Sequence, residues 1–136
     1  MGATFAATME KKVIHSDRAP KAIGPYSQAI ATEPGRLVFL SGQIPIDPAT
    51  GALVEGDAAL QTDRVMRNLG AVLEAAGVGF EHVVRCTIFL VDLGDFGAVN
   101  EVYGRYFRSP PPARATVQVA ALPKGAKVEI DAIAVG

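Results

Sequence analysis

Residues 58–76 constrain this 136-residue chain more than any other stretch. Leu60, Val65, Met66, Leu69, Val72, Leu73 and Ala76 recur at three- and four-residue intervals, while Gln61, Asp63, Arg64, Arg67, Asn68 and Glu74 cover the other side. That is the period of an amphipathic helix. Asp57 suits the N-cap, where a carboxylate accepts an orphan backbone N–H, and Gly77 suits the left-handed residue that ends a helix. A helix with one apolar stripe must bury it, and the flanking segments read as strands.

Upstream lie short strand candidates at Val13–His15 and Ser27–Ala31, separated by a loop that Pro20, Gly24 and Pro25 punctuate. Leu37–Ser41 is apolar until its end and reads as a strand buried on both faces. Downstream, Val83–Val91 is rich in β-branched residues. Its Val84, Cys86, Ile88 and Leu90 form one apolar face, and Val83, Arg85, Thr87, Phe89 and Val91 form a mixed one. A second helix is predicted over 96–107, with Asp95 as N-cap and Phe96, Val99, Val102, Tyr103, Tyr106 and Phe107 as its stripe. Proline ends it at "RSPPP". Strands from Arg114 and over Lys127–Val135, joined by the turn "PKGA", read as a hairpin.

The order β-β-β-α-β-α-β-β packs most economically as an α+β fold, a mixed sheet with two helices on one face. The other face is then bare. Leu37, Phe39, Val83 and Phe89 are available to it, so covering by further copies of the chain is expected.

Composition excludes more than it selects. The chain fits one domain, residues 11–136, with 1–10 as a loose flexible extension. Apolar residues make up 49% and charged ones 20%, enough for a core. The net charge of −1 and the lack of any Lys/Arg run beyond Lys11-Lys12 argue against nucleic acid as a partner. No apolar run reaches membrane-spanning length. The start lacks the order of a secretory signal, and a lone cysteine needs no oxidising compartment, so the cytoplasm is expected. His15 and His82 show no metal-ligand spacing, and no Gly-rich phosphate loop or nucleophile–base pair can be read. Cys86 reads as a core residue.

Several polar residues remain that local structure does not explain: Tyr26 in a Gly-Pro turn, Ser41-Gly42 at the end of an apolar strand, and Asn100 on the apolar side of the second helix. Arg114 and Thr116 share one face of their strand, and Glu129 interrupts the last strand between Val128 and Ile130. An arginine in such a place is either a solvated edge or the wall of a site. On spacing alone both stay open.

At these residues the chain resembles a known family. "AIGPYSQAI" (22–30), "LSGQIPIDPATG" (40–51), "VNEVYGRYF" (99–107) and "PPARATVQVAALPKGAKVEIDAIAV" (111–135) are similar to the RidA family of reactive-intermediate imine deaminases, also called the YjgF family. The resemblance spans about residues 13–135. It implies a fold like that of the small trimeric chorismate mutase, with three subunits packing their sheets into a central barrel and clefts between neighbours. It implies hydrolysis of 2-imino acids, formed from enamines such as 2-aminoacrylate, to 2-keto acids and ammonia. Such metabolite damage control needs no metal or organic cofactor.

Residue by residue, Arg114 matches the family's carboxylate-binding arginine. Tyr26, Ser41, Gly42, Asn100 and Glu129 match positions lining the cleft. Thr116 stands where some members carry cysteine. On this reading the rigid guanidinium fork of Arg114 grips the substrate carboxylate. Glu129 holds the attacking water and shuttles protons, and Tyr26 hydrogen-bonds substrate or water. Alternatives within the superfamily are a deaminase of aminomuconate-type substrates, or a non-enzymatic chaperone or a ribonuclease.

Overall fold

A computed structural model describes residues 11–108 and 110–136. The extension expected at 1–10 lies outside the described residues. The regular elements are β1 (Lys11–Ile14), β2 (Ala29–Thr32), β3 (Leu37–Gln43), α1 (Ala58–Ala75), β4 (Val83–Leu90), α2 (Phe96–Gly104), β5 (Ala113–Gln118) and β6 (Val128–Val135). Their order is the one read from the sequence, and the first two strands shift by two residues at their starts.

β1 and β2 form a separate antiparallel ribbon. The other four strands form one mixed sheet in the order β3-β6-β4-β5. β6 runs antiparallel to both β3 and β4, while β4 and β5 are parallel. The hairpin expected from β5 and β6 is therefore not formed. The turn at 123–125, with Lys124 at φ 60° and Gly125 at φ 73°, instead sends β6 past β4 to the slot beside β3. The gain is two paired edges for β6, the most buried strand of the sheet.

α1 forms as its signals demand. Asp57 Oδ1 accepts from the Leu60 N–H at 2.9 Å, and Gly77 takes the left-handed φ of 81° just past the helix. Gln61, expected on the solvent side, is buried. Its Nε2 donates to Val54 O and its Oε1 accepts from Lys127 N, each at 2.9 Å, so a buried amide ties α1 to the start of β6.

α2 stops at Gly104, three residues short of the prediction. The N–H groups of Tyr106 and Phe107 bond only three residues back, so the chain tightens before the prolines. Asp95 makes no side-chain cap; Asp92 Oδ1 instead accepts from Gly94 N at 2.8 Å in the preceding 3-10 turn. The Tyr106 hydroxyl donates to Asp63 Oδ1 at 2.5 Å and ties this end back to α1.

Both helices lie on one face of the sheet. Val65, Met66, Leu69 and Leu73 of α1 and Val99 and Tyr103 of α2 bury against Leu40, Cys86, Ile88, Leu90, Val128, Ile130, Ala132 and Ala134. The opposite face is open. β3 is not buried on both sides: Phe39 is 70% and Leu37 59% exposed, whereas Leu40 is buried. Val83, expected on the open face, is in the core. The register shifts between Val83 and Arg85, so one extra residue on β4 turns Val83 to the helix side.

Candidate active site

The edge strand β5 carries Arg114. In the register with β4, Arg114 pairs with Cys86 and Thr116 with Ile88, so both side chains point to the helix side of the sheet. The prolines before β5 hold the loop that bears Tyr26. Ser27 N donates to Pro112 O at 3.2 Å and Ser27 Oγ to Pro111 O at 2.6 Å. A bridge from Ser27 to Ala113 completes the docking. This explains the Gly-Pro turn: Tyr26 N closes on Gly24 O at 2.8 Å and the phenol ring is delivered to the end of β5.

Arg114 Nη1 donates to Asn100 Oδ1 at 2.8 Å. Its Cζ lies 5.3 Å from the centre of the Tyr26 ring, 5.2 Å from Tyr103 and 5.6 Å from Phe96. Burial lowers its pKa, and no carboxylate among the described residues forms an ion pair with it. A half-buried cation without a counter-ion is costly, and an anion offered to it is correspondingly welcome. Among the described residues the buried Thr116 hydroxyl has no hydrogen-bond partner, and the buried Tyr103 hydroxyl has only the Cys86 thiol to interact with. Beneath them the Cys86 thiol is pushed up to about 11 by burial, which makes it a packing group and not a nucleophile.

Glu129, Ser41 and Gly42 lie elsewhere. Glu129 pairs with Phe89 on the open face of the sheet. Ser41 and Gly42 occupy the irregular register between Leu40 and Gln43, and both are exposed. Gly42 and Glu129 are in intimate contact: a Cβ on Gly42 would fall 2.0 Å from Glu129 Oε2. Only glycine lets the carboxylate lie against this backbone.

One subunit thus brings together Tyr26, Asn100, Arg114 and Thr116 on the helix side, and Gly42 with Glu129 and the neighbouring Ser41 on the open side. It does not join the two groups. Two residues beside Arg114, Phe96 and Tyr103, read in the sequence only as members of the apolar stripe of α2. Their spacing from Asn100, at i, i+4 and i+7, was the available signal that they share its face. Among the described residues no group of three or more His, Cys, Asp or Glu could hold a metal ion.

The profile of the family described as Endoribonuclease L-PSP matches residues 16–136. A mouse protein named 2-iminobutanoate/2-iminopropanoate deaminase is 50% identical, over 92% of this chain and 91% of its own. The chain belongs to the RidA family. The crystal structure of RidA from an Antarctic Psychrobacter is 46% identical with a TM-score of 0.72, covering 92% of this chain and 99% of that one. A Myxococcus xanthus protein named DfrA is 70% identical, over 93% of this chain and 97% of its own. Names within the RidA family therefore differ, and activity has to be argued from the site.

Proposed function

We propose that this RidA-family chain is a hydrolase acting on 2-imino acids such as 2-iminopropanoate and 2-iminobutanoate, and on their enamine precursors. The products are 2-keto acids and ammonia. The observation that carries this reading is the half-buried guanidinium of Arg114, held by Asn100 and, among the described residues, left without an acid partner. A 2-imino acid presents a carboxylate next to the C=N bond, and the fork binds it in one orientation. The mouse relative named for this activity supports the choice of substrate class.

Water adds to the imine carbon, and the C–N bond of the resulting carbinolamine breaks to release ammonia and leave the keto acid. An enamine must first take a proton at its β-carbon. Glu129 is the acid assigned to hold the water and carry protons, with the Tyr26 phenol and the backbone of Ser41-Gly42 ordering substrate or water. Thr116 supplies a small polar wall. Imines are already labile, so positioning supplies much of the acceleration. No metal or organic cofactor is required by this chemistry.

Glu129 and Arg114 point to opposite faces of one sheet, so the reading places the working site between subunits. One copy contributes the Arg114 group and its neighbour the Glu129 group. The exposed Leu37, Phe39 and Val117 give a second copy an apolar surface to cover. A homotrimer with its open sheet faces turned inward as a central barrel satisfies both needs. No helix among the described residues is long and apolar enough to cross a membrane. We place the reaction in the cytoplasm.

A ribonuclease reading follows from the family's description. The net charge of −1 and the lack of a basic, aromatic-interleaved patch count against it. One experiment separates these readings. Imines are generated by a threonine dehydratase or an amino-acid oxidase, and keto-acid release is followed with wild type and Arg114→Ala. Acceleration by wild type and its loss in Arg114→Ala are expected; equal rates for every imine overturn the proposal.

A further inference from the structure

We infer that Phe96 is a positioning residue for Arg114: its ring, with those of Tyr26 and Tyr103, cages the guanidinium and presents its free donors to a carboxylate. The inference rests on the reading of Arg114 as a carboxylate clamp and names what holds the clamp in place.

Three ring centroids stand 5.2–5.6 Å from Arg114 Cζ. A cation within about 6 Å of an aromatic face is attracted by the ring quadrupole, and such a contact occurs roughly once per 70–80 residues. Three on one guanidinium, drawn from two separate parts of the chain, form a built enclosure. Tyr26 comes with the loop docked on the prolines before β5. Phe96 and Tyr103 come from one face of α2, seven residues apart with Asn100 between them.

The choice of rings has a chemical consequence. A guanidinium has five N–H donors, and among the described residues Arg114 uses one, toward Asn100. A carboxylate in place of the rings would neutralise the charge and occupy the fork that a substrate needs. Aromatic faces stabilise the cation and restrict its rotamers while leaving the donors unspent. The ligand then meets a side chain already ordered, so less freedom is lost on binding.

Phe96 is the wall best suited to a test. It is the first residue of α2 and 37% exposed, so replacing it leaves the core intact. Phe96→Leu keeps an apolar side chain and removes the π-face; Phe96→Tyr restores a ring. Three readouts apply to wild type and both variants: the side-chain Nε–H resonance of Arg114 in the free protein, calorimetric binding of 2-oxobutanoate, and kcat and KM for 2-iminobutanoate. The Arg114 resonance is assigned by its absence in Arg114→Lys.

Phe96→Leu is expected to shift the resonance, weaken 2-oxobutanoate about three- to tenfold and raise KM by a similar factor, with kcat within about twofold. Phe96→Tyr is expected to recover all three. A Phe96→Leu protein with wild-type resonance and affinity overturns the inference, as does a fall in kcat with KM unchanged. If wild type binds 2-oxobutanoate but turns over no imine, the reaction proposed above falls, and resonance and affinity decide the cage by themselves. Wild type that neither binds nor turns over overturns both.

Discussion

Arg114 Nη1 donates to Asn100 Oδ1 across 2.8 Å, joining the edge strand to the helix that crosses from its neighbour. The bond sets the guanidinium at the rim of the core while spending one of its donors. Asn100→Leu removes the acceptor and leaves the fork free to turn. About a tenfold rise in KM for 2-iminobutanoate is expected, in line with a hydrogen bond to a charged group. Steady-state kinetics on the coupled assay measure it, and an unchanged KM removes Asn100 from the site.

Glu129→Gln keeps shape and removes the capacity to take up a proton. Turnover is expected to fall at least about a hundredfold, the usual scale of general acid–base catalysis, while 2-oxobutanoate still binds. Full turnover in Glu129→Gln would show that the carboxylate has no part in proton transfer.

Gly42→Ala puts a methyl group where Glu129 Oε2 now lies, 2.0 Å from the new Cβ. The carboxylate must swing away, so activity should drop while the thermal midpoint changes by only a few degrees. If the effect runs through Glu129, adding Gly42→Ala to Glu129→Gln costs nothing more. A fully additive double mutant would assign Gly42 a separate role.

Asp63 accepts from the Tyr106 hydroxyl and from Arg67, and these hydrogen bonds hold its carboxyl below its usual value. A depressed folded pKa contributes stability that is present above the unfolded pKa of about 4 and is lost as pH falls through the folded value. Tyr106→Phe should cost about 1 kcal/mol at neutral pH after solvent screening and flatten the loss of stability below about pH 4. Urea unfolding at pH 7 and pH 3 tests this. An equal deficit at both pH values would mean that the hydroxyl acts through packing alone.

The Cys86 thiol, raised to about 11 by burial, is expected to resist a disulfide reagent at pH 8 and to react once the protein is unfolded in guanidinium. Rapid labelling of the native protein would contradict its place in the core.

Much of this molecule was legible in local patterns. The helix over 58–75 announced itself by period and caps, because each signal lies within a few residues of what it controls. Arg114 and Thr116 were legible as sharing one strand face, since alternation needs only the backbone pleat. Val83 escapes that alternation because one extra residue in β4 reverses it, and nothing local marks the bulge. The turn between β5 and β6 suggests a hairpin but fixes only that the chain reverses, not which strand β6 pairs with. Phe96 and Tyr103 were hidden by their own apolarity, since a ring that packs a core and a ring that faces a cation look alike in sequence.

The amino-acid order alone determined which segments become helix or strand and which polar residues resist a packing explanation, because propensity, period and capping act over short separations. The tertiary structure decided that β6 lies between β3 and β4, that three rings surround Arg114, and that Glu129 faces away from it. Those outcomes depend on pairing between residues distant in the chain, where burial summed over the whole sheet outweighs any local signal.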